Sequence, residues 1–181
     1  MRNKDLSQES FAAKEVNALL GVDNNKLFHW INTHRLLKPD IDEGIGRGKK
    51  RVFSRNNLLE IAIVSEMTVF GIELNAVKKF KDFLDKWNIK TTYEDGRWVE
   101  TKEKNNKKIR KFSLYDWAFE GGQETGLKLY YQPNGIHLDT MMWADRPETE
   151  EDKKEMLSPG AYLVINVSTI ARKIMDKIGR V

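Results

Sequence analysis

The stretch from Gly21 to Ser54 constrains the fold of this chain most, because it combines a turn, a short exposed helix and a glycine-rich basic loop. Gly21 can adopt the positive φ that ends one helix. Asp23 can cap the next helix by accepting a hydrogen bond from a backbone N–H near residue 25 or 26. The second helix is then predicted from about Asn24 to His34. Two helices joined by a tight turn and followed by a loop predict a helix-turn-helix beside a hairpin.

The predicted second helix has an apolar side and a polar side. Leu27, Trp30 and Ile31 recur at helical spacing and predict a packing stripe, with Trp30 facing the core or a groove edge. Glycines at 44, 46 and 48 then alternate with other residues, and four cations lie close together at Arg47, Lys49, Lys50 and Arg51. A helix beside a basic loop suits duplex DNA, because cations neutralise phosphates while a helix enters the major groove. The alternative for the charge run alone is a solvated basic hairpin.

These residues give the chain a resemblance to the winged-helix DNA-binding domain of the MerR-type transcription regulators, over about Phe11 to Trp87. The matching motifs, in order, are Phe11, Glu15-Val16, Leu19-Leu20-Gly21-Val22, Leu27 with His29-Trp30, Leu36-Leu37-Lys38-Pro39, Gly46-Arg47-Gly48, Arg51-Val52-Phe53-Ser54, and Phe70-Gly71-Ile72 with Leu74. The chain departs from the family at four positions. Many members have a small hydroxyl residue at Lys26, an arginine at Phe28 and an acidic residue at Ile31, and often a capping hydroxyl at Ala12. The resemblance implies a winged helix-turn-helix that binds inverted repeats as a dimer.

Candidate DNA-contacting residues follow from helix position and from this resemblance. On the second helix, the candidates for base or nearby phosphate contact are Lys26, His29 and Thr33. On the wing, the candidates for phosphate contact are Arg47, Lys49, Lys50 and Arg51. Lys14 and Arg35 are expected to add contacts to the DNA backbone.

Composition bounds the remaining function classes. A chain of 181 residues with 40% hydrophobic residues can bury a core. The net charge is only +4, so the DNA argument rests on the local charge near residues 47–51. The absence of cysteine excludes disulfides, thiolate metal sites and the cysteine-based sensing of several MerR-type branches. No apolar run reaches about 18 residues and the N-terminus has no signal core, which predicts a soluble, cytoplasmic protein without membrane association.

The rest of the first half is predicted to be helical. Residues 1–10 are polar and are expected to be a disordered N-terminus. The first helix is predicted over Phe11–Leu20, and a long central helix capped by Ser54 over Arg55–Val69. After Gly71, apolar residues at helical spacing predict a further helix up to about Trp87.

Residues 88–181 change character, with no heptad pattern for a coiled coil after Trp87. Turn signals at Asp95-Gly96 and Pro133-Asn134-Gly135 predict two hairpins. Residues 161–167 predict a strand buried on both faces, and Ser168 is expected to cap a final helix, Thr169–Ile178, that backs the sheet. The predicted fold class is α+β. A winged helix-turn-helix domain with a β wing at 11–87 precedes a small mixed α+β domain at 88–181, with antiparallel hairpins and a C-terminal helix.

The second half offers little for catalysis. His137 and Asp139 share one face of a predicted strand, but two ligands do not make a metal site. Phosphate-binding glycine loops, nucleophile elbows and zinc-helix motifs are absent from the sequence. We therefore predict no catalytic residues, metal or cofactor. The aromatic residues of this half, Trp98, Tyr115, Trp117, Phe119, Tyr130, Tyr131, Trp143 and Tyr162, are expected to pack a core, with an apolar or aromatic effector pocket or a dimer interface as the alternatives.

The sequence thus predicts a sequence-specific regulator of transcription that binds double-stranded DNA, acts as a homodimer and is not an enzyme. Two alternatives stay open. The first is a DNA-binding module of a mobile element or phage that serves recombination, packaging or plasmid maintenance. The second is an enzyme that is delivered to DNA and has its chemistry in the C-terminal domain.

Overall fold

The computed structural model describes residues 10–46, 49–86, 88–94, 97–100, 110–120, 124–132, 135–143 and 162–179. These residues form a mixed α+β fold, which confirms the predicted fold class. Two compact units are formed: the described parts of Met1–Asp82 with Ile170–Val181, and those of Phe83–Thr169. None of the described helices is long and apolar enough to cross a bilayer.

The described helices are α1 (Ala13–Leu20), α2 (Asn24–Phe28), α3 (Arg55–Val69), α4 (Leu74–Lys86), α5 (Leu114–Glu120) and α6 (Val167–Ile178), and α2 continues into a π-helical turn over His29–Thr33. The described strands are β1 (Ser10–Ala12), β2 (Val52–Ser54), β3 (Asn88–Glu94), β4 (Arg97–Glu100), β5 (Arg110–Ser113), β6 (Glu124–Gln132), β7 (Gly135–Trp143) and β8 (Tyr162–Asn166).

Helix α3 is central in the first unit. Its apolar residues surround the helix rather than forming one stripe, and Leu58, Leu59, Ile61 and Ile63 are fully buried. The bounds of α3 and its Ser54 cap, which accepts a hydrogen bond from the Asn57 N–H at 3.2 Å, are as predicted. A helix buried on most sides must have other elements packed around it, so α3 is the support for the rest of this unit.

A partly exposed polar network fixes the chain before the basic loop to the start of α3. The Asp40 N–H donates to Asn57 Oδ1 at 2.9 Å, and Asn57 Nδ2 donates to the Lys38 carbonyl at 3.0 Å. The Asp40 carboxylate accepts from the Ser54 N–H at 3.0 Å and from the Ser54 hydroxyl. Both ends of the loop between residues 40 and 54 are therefore held at one place.

Helix α1 is shorter than predicted. Phe11 was expected to open this helix, but it lies in β1 opposite Phe53 of β2, because pairing with a distant strand outweighs local helical spacing. Ala12 has no capping oxygen, and its N–H donates instead to Glu15 Oε2 at 2.6 Å. The expected disorder of the N-terminus concerns residues outside the described part, apart from Ser10 in β1.

The described residues of the second unit form two three-stranded antiparallel sheets, with strand orders β4-β3-β5 and β7-β6-β8. The two predicted hairpins are confirmed, since Glu94 pairs with Arg97 and Gln132 with Gly135. The turn residues 95–96 and 133–134 lie outside the described residues. Strand β8 was expected to be buried on both faces. Among the described strands it lies at an edge of its sheet, and its residues Leu163 and Val164 are only half-buried.

Helix α6 differs from its prediction in cap and in position. It begins at Val167, and Asn166 Oδ1 accepts from the Thr169 N–H at 2.8 Å. The Ser168 hydroxyl, the predicted cap, accepts instead from the Thr125 N–H at 2.8 Å. From Ile170 onward the helix groups with the first unit, where Lys177 Nζ donates to the Leu19 carbonyl. Helical periodicity identifies an apolar face but not the surface which that face covers.

The ion pair between Glu60 of α3 and Lys81 of α4 yields a stability prediction. Their charged atoms are 3.0 Å apart and their side chains are only 7% and 18% exposed. Lys81→Met removes the Lys81 cation from beside a buried carboxylate, so the free energy of unfolding should fall by about 3 kcal/mol in urea titrations. Lys78→Met, at an exposed position of the same helix, is the control and should change it by less than about 0.5 kcal/mol. Equal losses in the two variants would contradict this role.

Candidate nucleic-acid interface

The turn before α2 is built as its sequence predicts. Gly21 has φ of 69° and its N–H donates to the Asn17 carbonyl at 2.8 Å, which ends α1. Asp23 Oδ1 accepts from the N–H groups of Asn25 at 2.8 Å and Lys26 at 3.3 Å. The end of α1 at Gly21 and the cap of α2 at Asp23 therefore fix the start of α2 relative to α1.

Helix α2 and its π turn present one buried and one exposed side. Leu27 and Trp30 are buried and Ile31 is half-buried, as the stripe predicts. Trp30 is only 3% exposed and belongs to the core. The exposed side carries polar groups together with one aromatic ring, in Lys26, Phe28, His29, Asn32 and Thr33.

The π turn shapes the end of this helix. The His34 N–H donates to the His29 carbonyl at 3.0 Å, five residues back, and the Leu36 N–H donates to the Trp30 carbonyl at 2.7 Å. His29 Nδ1 lies 3.2 Å from Thr33 Oγ1, so two predicted contact residues adjoin each other. Arg35 ends the segment with a φ of 52°, and its side chain is exposed. Such π turns often lie at functional sites.

The basic loop is closed at its base by two backbone hydrogen bonds. The Asp42 N–H donates to the Val52 carbonyl at 3.2 Å, and the Val52 N–H donates to the Asp42 carbonyl at 2.9 Å. Gly44 has φ of 63°, and a Cβ there would lie 3.0 Å from the backbone nitrogen of Arg51. Lys49 and Lys50 are exposed, whereas the predicted site residue Arg47 and its neighbour Gly48 lie outside the described residues.

Arg51 joins this loop to the helix. Its Nη2 donates to Asn32 Oδ1 at 2.5 Å, and its Cζ lies 5.6 Å from the ring centroid of Phe28. Phe28 and Asn32 are four residues apart, so one guanidinium spans one turn of the helix. Arg51 was predicted as a wing cation in contact with phosphate, and its contact with the helix was not predicted. The sequence does show that Phe28 and Asn32 lie one helical turn apart on the exposed face. No local pattern indicates, however, that a residue 19 positions after Asn32 contacts them.

A cavity of about 210 Å³ lies beside this bridge. Its lining includes Lys14, which the sequence predicted as a DNA-backbone contact, together with Arg51 and Asn24. Its other lining residues are apolar: Ala13, Leu27, Phe28, Ile31 and Phe53. The cavity is thus lined mainly by apolar side chains, with two cations among its lining residues.

The structure brings most of the predicted contact residues onto one part of the first unit. We call the exposed side of residues 24–34, with the loop 42–52, the helix–loop surface. Lys26, His29 and Thr33 lie on its helix, Lys49, Lys50 and Arg51 lie in its loop, and Arg35 follows the helix directly. The Lys26 ammonium lies 4.9 Å from the Trp30 ring centroid, which holds this cation close to the helix.

Elsewhere, the described residues contain no group of three or more His, Cys, Asp or Glu that could hold a metal ion. His137 and Asp139 lie on β7, as predicted, with Tyr130 and Lys128 opposite them on β6. The side chains of this pair lie outside the part that the structure describes.

No known family model and no curated protein matches the chain.

The cap of α2 gives a second stability prediction. Asp23→Ala removes the acceptor of two backbone N–H groups, so it should lower the free energy of unfolding by about 1 kcal/mol. Asp23→Asn keeps a capping oxygen without the charge and should retain most of the stability. Thermal unfolding followed by circular dichroism measures both. The cap would be irrelevant if the alanine variant unfolded at the wild-type temperature.

Proposed function

We propose that this chain is a sequence-specific, double-stranded DNA-binding regulator of transcription whose first unit is a winged helix-turn-helix reading head of the MerR type. The observation that carries the proposal is the bond between Arg51 and Asn32, which sets a basic loop beside the exposed side of a helix. Base reading requires a helix whose polar face is free, and affinity requires cations that meet phosphates on either side of the groove. The helix–loop surface combines an exposed polar helix face with the cations Lys49 and Lys50.

The two parts of the surface have separate tasks in this proposal. Lys26, His29 and Thr33 face base edges in the major groove, where imidazole, ammonium and hydroxyl groups can distinguish donor and acceptor patterns. Lys49 and Lys50, with Arg47, contact phosphates and supply affinity that does not depend on sequence. Arg51 donates one of its hydrogen bonds to Asn32, so its main role is to hold the loop against the helix.

The regulator acts as a homodimer in this proposal, with the dimer contact outside a coiled coil. In the described chain α4 ends at Lys86 and β3 begins at Asn88, which leaves no long helix directly after α4 for such a pairing. The dimer contact, or the effector pocket, is therefore assigned to the second unit.

In vitro selection from a random duplex pool tests the proposed sequence reading. The wild-type protein should enrich an inverted repeat, since a twofold dimer reads two half-sites. His29→Ala should relax the preference at one position of each half-site by about 1–3 kcal/mol, because it removes one base contact. Salt-sensitive binding without any enriched motif would contradict sequence-specific regulation, and a single half-site would contradict the dimer.

The salt dependence of duplex binding tests the phosphate assignment. Each neutralised phosphate contributes roughly 0.9 to the slope of log K against log salt. Lys50→Ala should therefore weaken binding to all sequences and flatten the slope by about that amount, and Arg47→Ala should do the same. Lys173→Ala, at an exposed position of α6, is the matched control and should leave the slope unchanged. A changed sequence preference with an unchanged slope for Lys50→Ala would show that the wing does not hold the DNA backbone.

A further inference from the structure

Phe28 is the unexpected member of the helix–loop surface. Phe28 is 53% exposed, although burying an aromatic ring is favourable. The ring is held in place from two sides, by the Arg51 guanidinium at 5.6 Å and by an edge contact with His29 at 6.2 Å between centroids. A ring that is both exposed and held is suited to contact an apolar group of a partner.

The cavity beside Phe28 narrows the chemistry of that group. Leu27, Ile31 and Phe53 contribute apolar side chains to its lining, and Lys14 and Arg51 contribute positive charge. The site therefore fits a small apolar group that comes with anions nearby.

Duplex DNA presents one such group in its major groove, the C5-methyl of thymine, which protrudes between the phosphates of the two strands. Building on the proposed function, we propose that Phe28 is a specificity-determining residue that contacts a thymine methyl at the mouth of this cavity. Lys14 meets a neighbouring phosphate. Arg51 is the positioning residue, because its guanidinium lies over the Phe28 ring.

Uracil tests this assignment, because it keeps the base pairing of thymine and lacks only the methyl group. The duplex enriched by the wild-type protein from a random pool is resynthesised with uracil replacing each thymine in turn. Burial of one methyl predicts a loss of about fourfold in affinity at the contacted thymine of each half-site. The other replacements should have little effect.

The variants separate the ring from a general effect on binding. Phe28→Ala should bind the thymine duplex more weakly and should show a thymine-to-uracil affinity ratio near one at that position. Phe28→Leu keeps an apolar contact and should keep a ratio above one, which preserves the test if the alanine variant binds too weakly. Phe70→Ala, which removes a ring of similar exposure (59%) just after α3, is the matched control and should keep the wild-type ratio.

The outcomes distinguish this inference from the function on which it rests. Enrichment of a motif whose uracil forms all bind the wild-type protein as well as the thymine form would overturn the role of Phe28 and leave DNA reading intact. An enriched motif without thymine would do the same. A full fourfold loss that persists in both Phe28→Ala and Phe28→Leu would place the methyl contact elsewhere. Absence of binding to any duplex would overturn the proposed function itself.

Discussion

The helix–loop surface depends on the contacts that the Arg51 guanidinium makes with the helix. The guanidinium donates a hydrogen bond to Asn32 and lies over the Phe28 ring, one helical turn away. The loop therefore cannot shift along the helix without breaking a charge-assisted hydrogen bond or uncovering the ring. Arginine suits both contacts, because its planar guanidinium can lie over an aromatic ring while one of its nitrogens donates a hydrogen bond. Gly44 lies against the Arg51 backbone with a φ of 63°, so a residue with a Cβ there would be strained and would crowd Arg51.

The polar network at the base of the loop supports this contact. Asp40, Ser54 and Asn57 hold both ends of the loop to the start of α3, whose own position is fixed by the core. The polar residues of this region have two different roles. Those near the base of the loop form hydrogen bonds with one another, whereas Lys49 and Lys50 farther along the loop remain exposed to solvent. Because the loop is fixed at its base and at β2, these exposed cations keep a defined position relative to the helix.

The sequence predicted those parts of the structure that depend on neighbours in the chain. Gly21, Asp23 and Ser54 act within a few residues of themselves, and the hairpin signals at Asp95-Gly96 and Asn134-Gly135 are equally local. Helix α5 was not predicted although its signal was present. Ser113 and Asp116 form a capping box, in which the Asp116 N–H donates to Ser113 Oγ at 3.1 Å and the Ser113 N–H to Asp116 Oδ2 at 3.3 Å.

The features that the sequence could not predict depend on distant parts of the chain. Phe11 belongs to a strand because Phe53 lies opposite it. Helix α6 groups with the first unit from Ile170 onward, although the chain reaches it through β8 of the second unit. The candidate site divides in the same way, since helical spacing identified Lys26, His29 and Thr33, whereas the contact between Arg51 and Asn32 required the fold.

Hydrogen–deuterium exchange of the protein with and without the selected duplex reports which backbone segments the DNA covers, and so tests whether the helix–loop surface binds it. If it does, exchange should slow on binding in peptides that span 24–34 and 42–52 and stay unchanged in α6 beyond Lys173. Protection confined to residues 88–166, with the helix–loop surface unaffected, would contradict it.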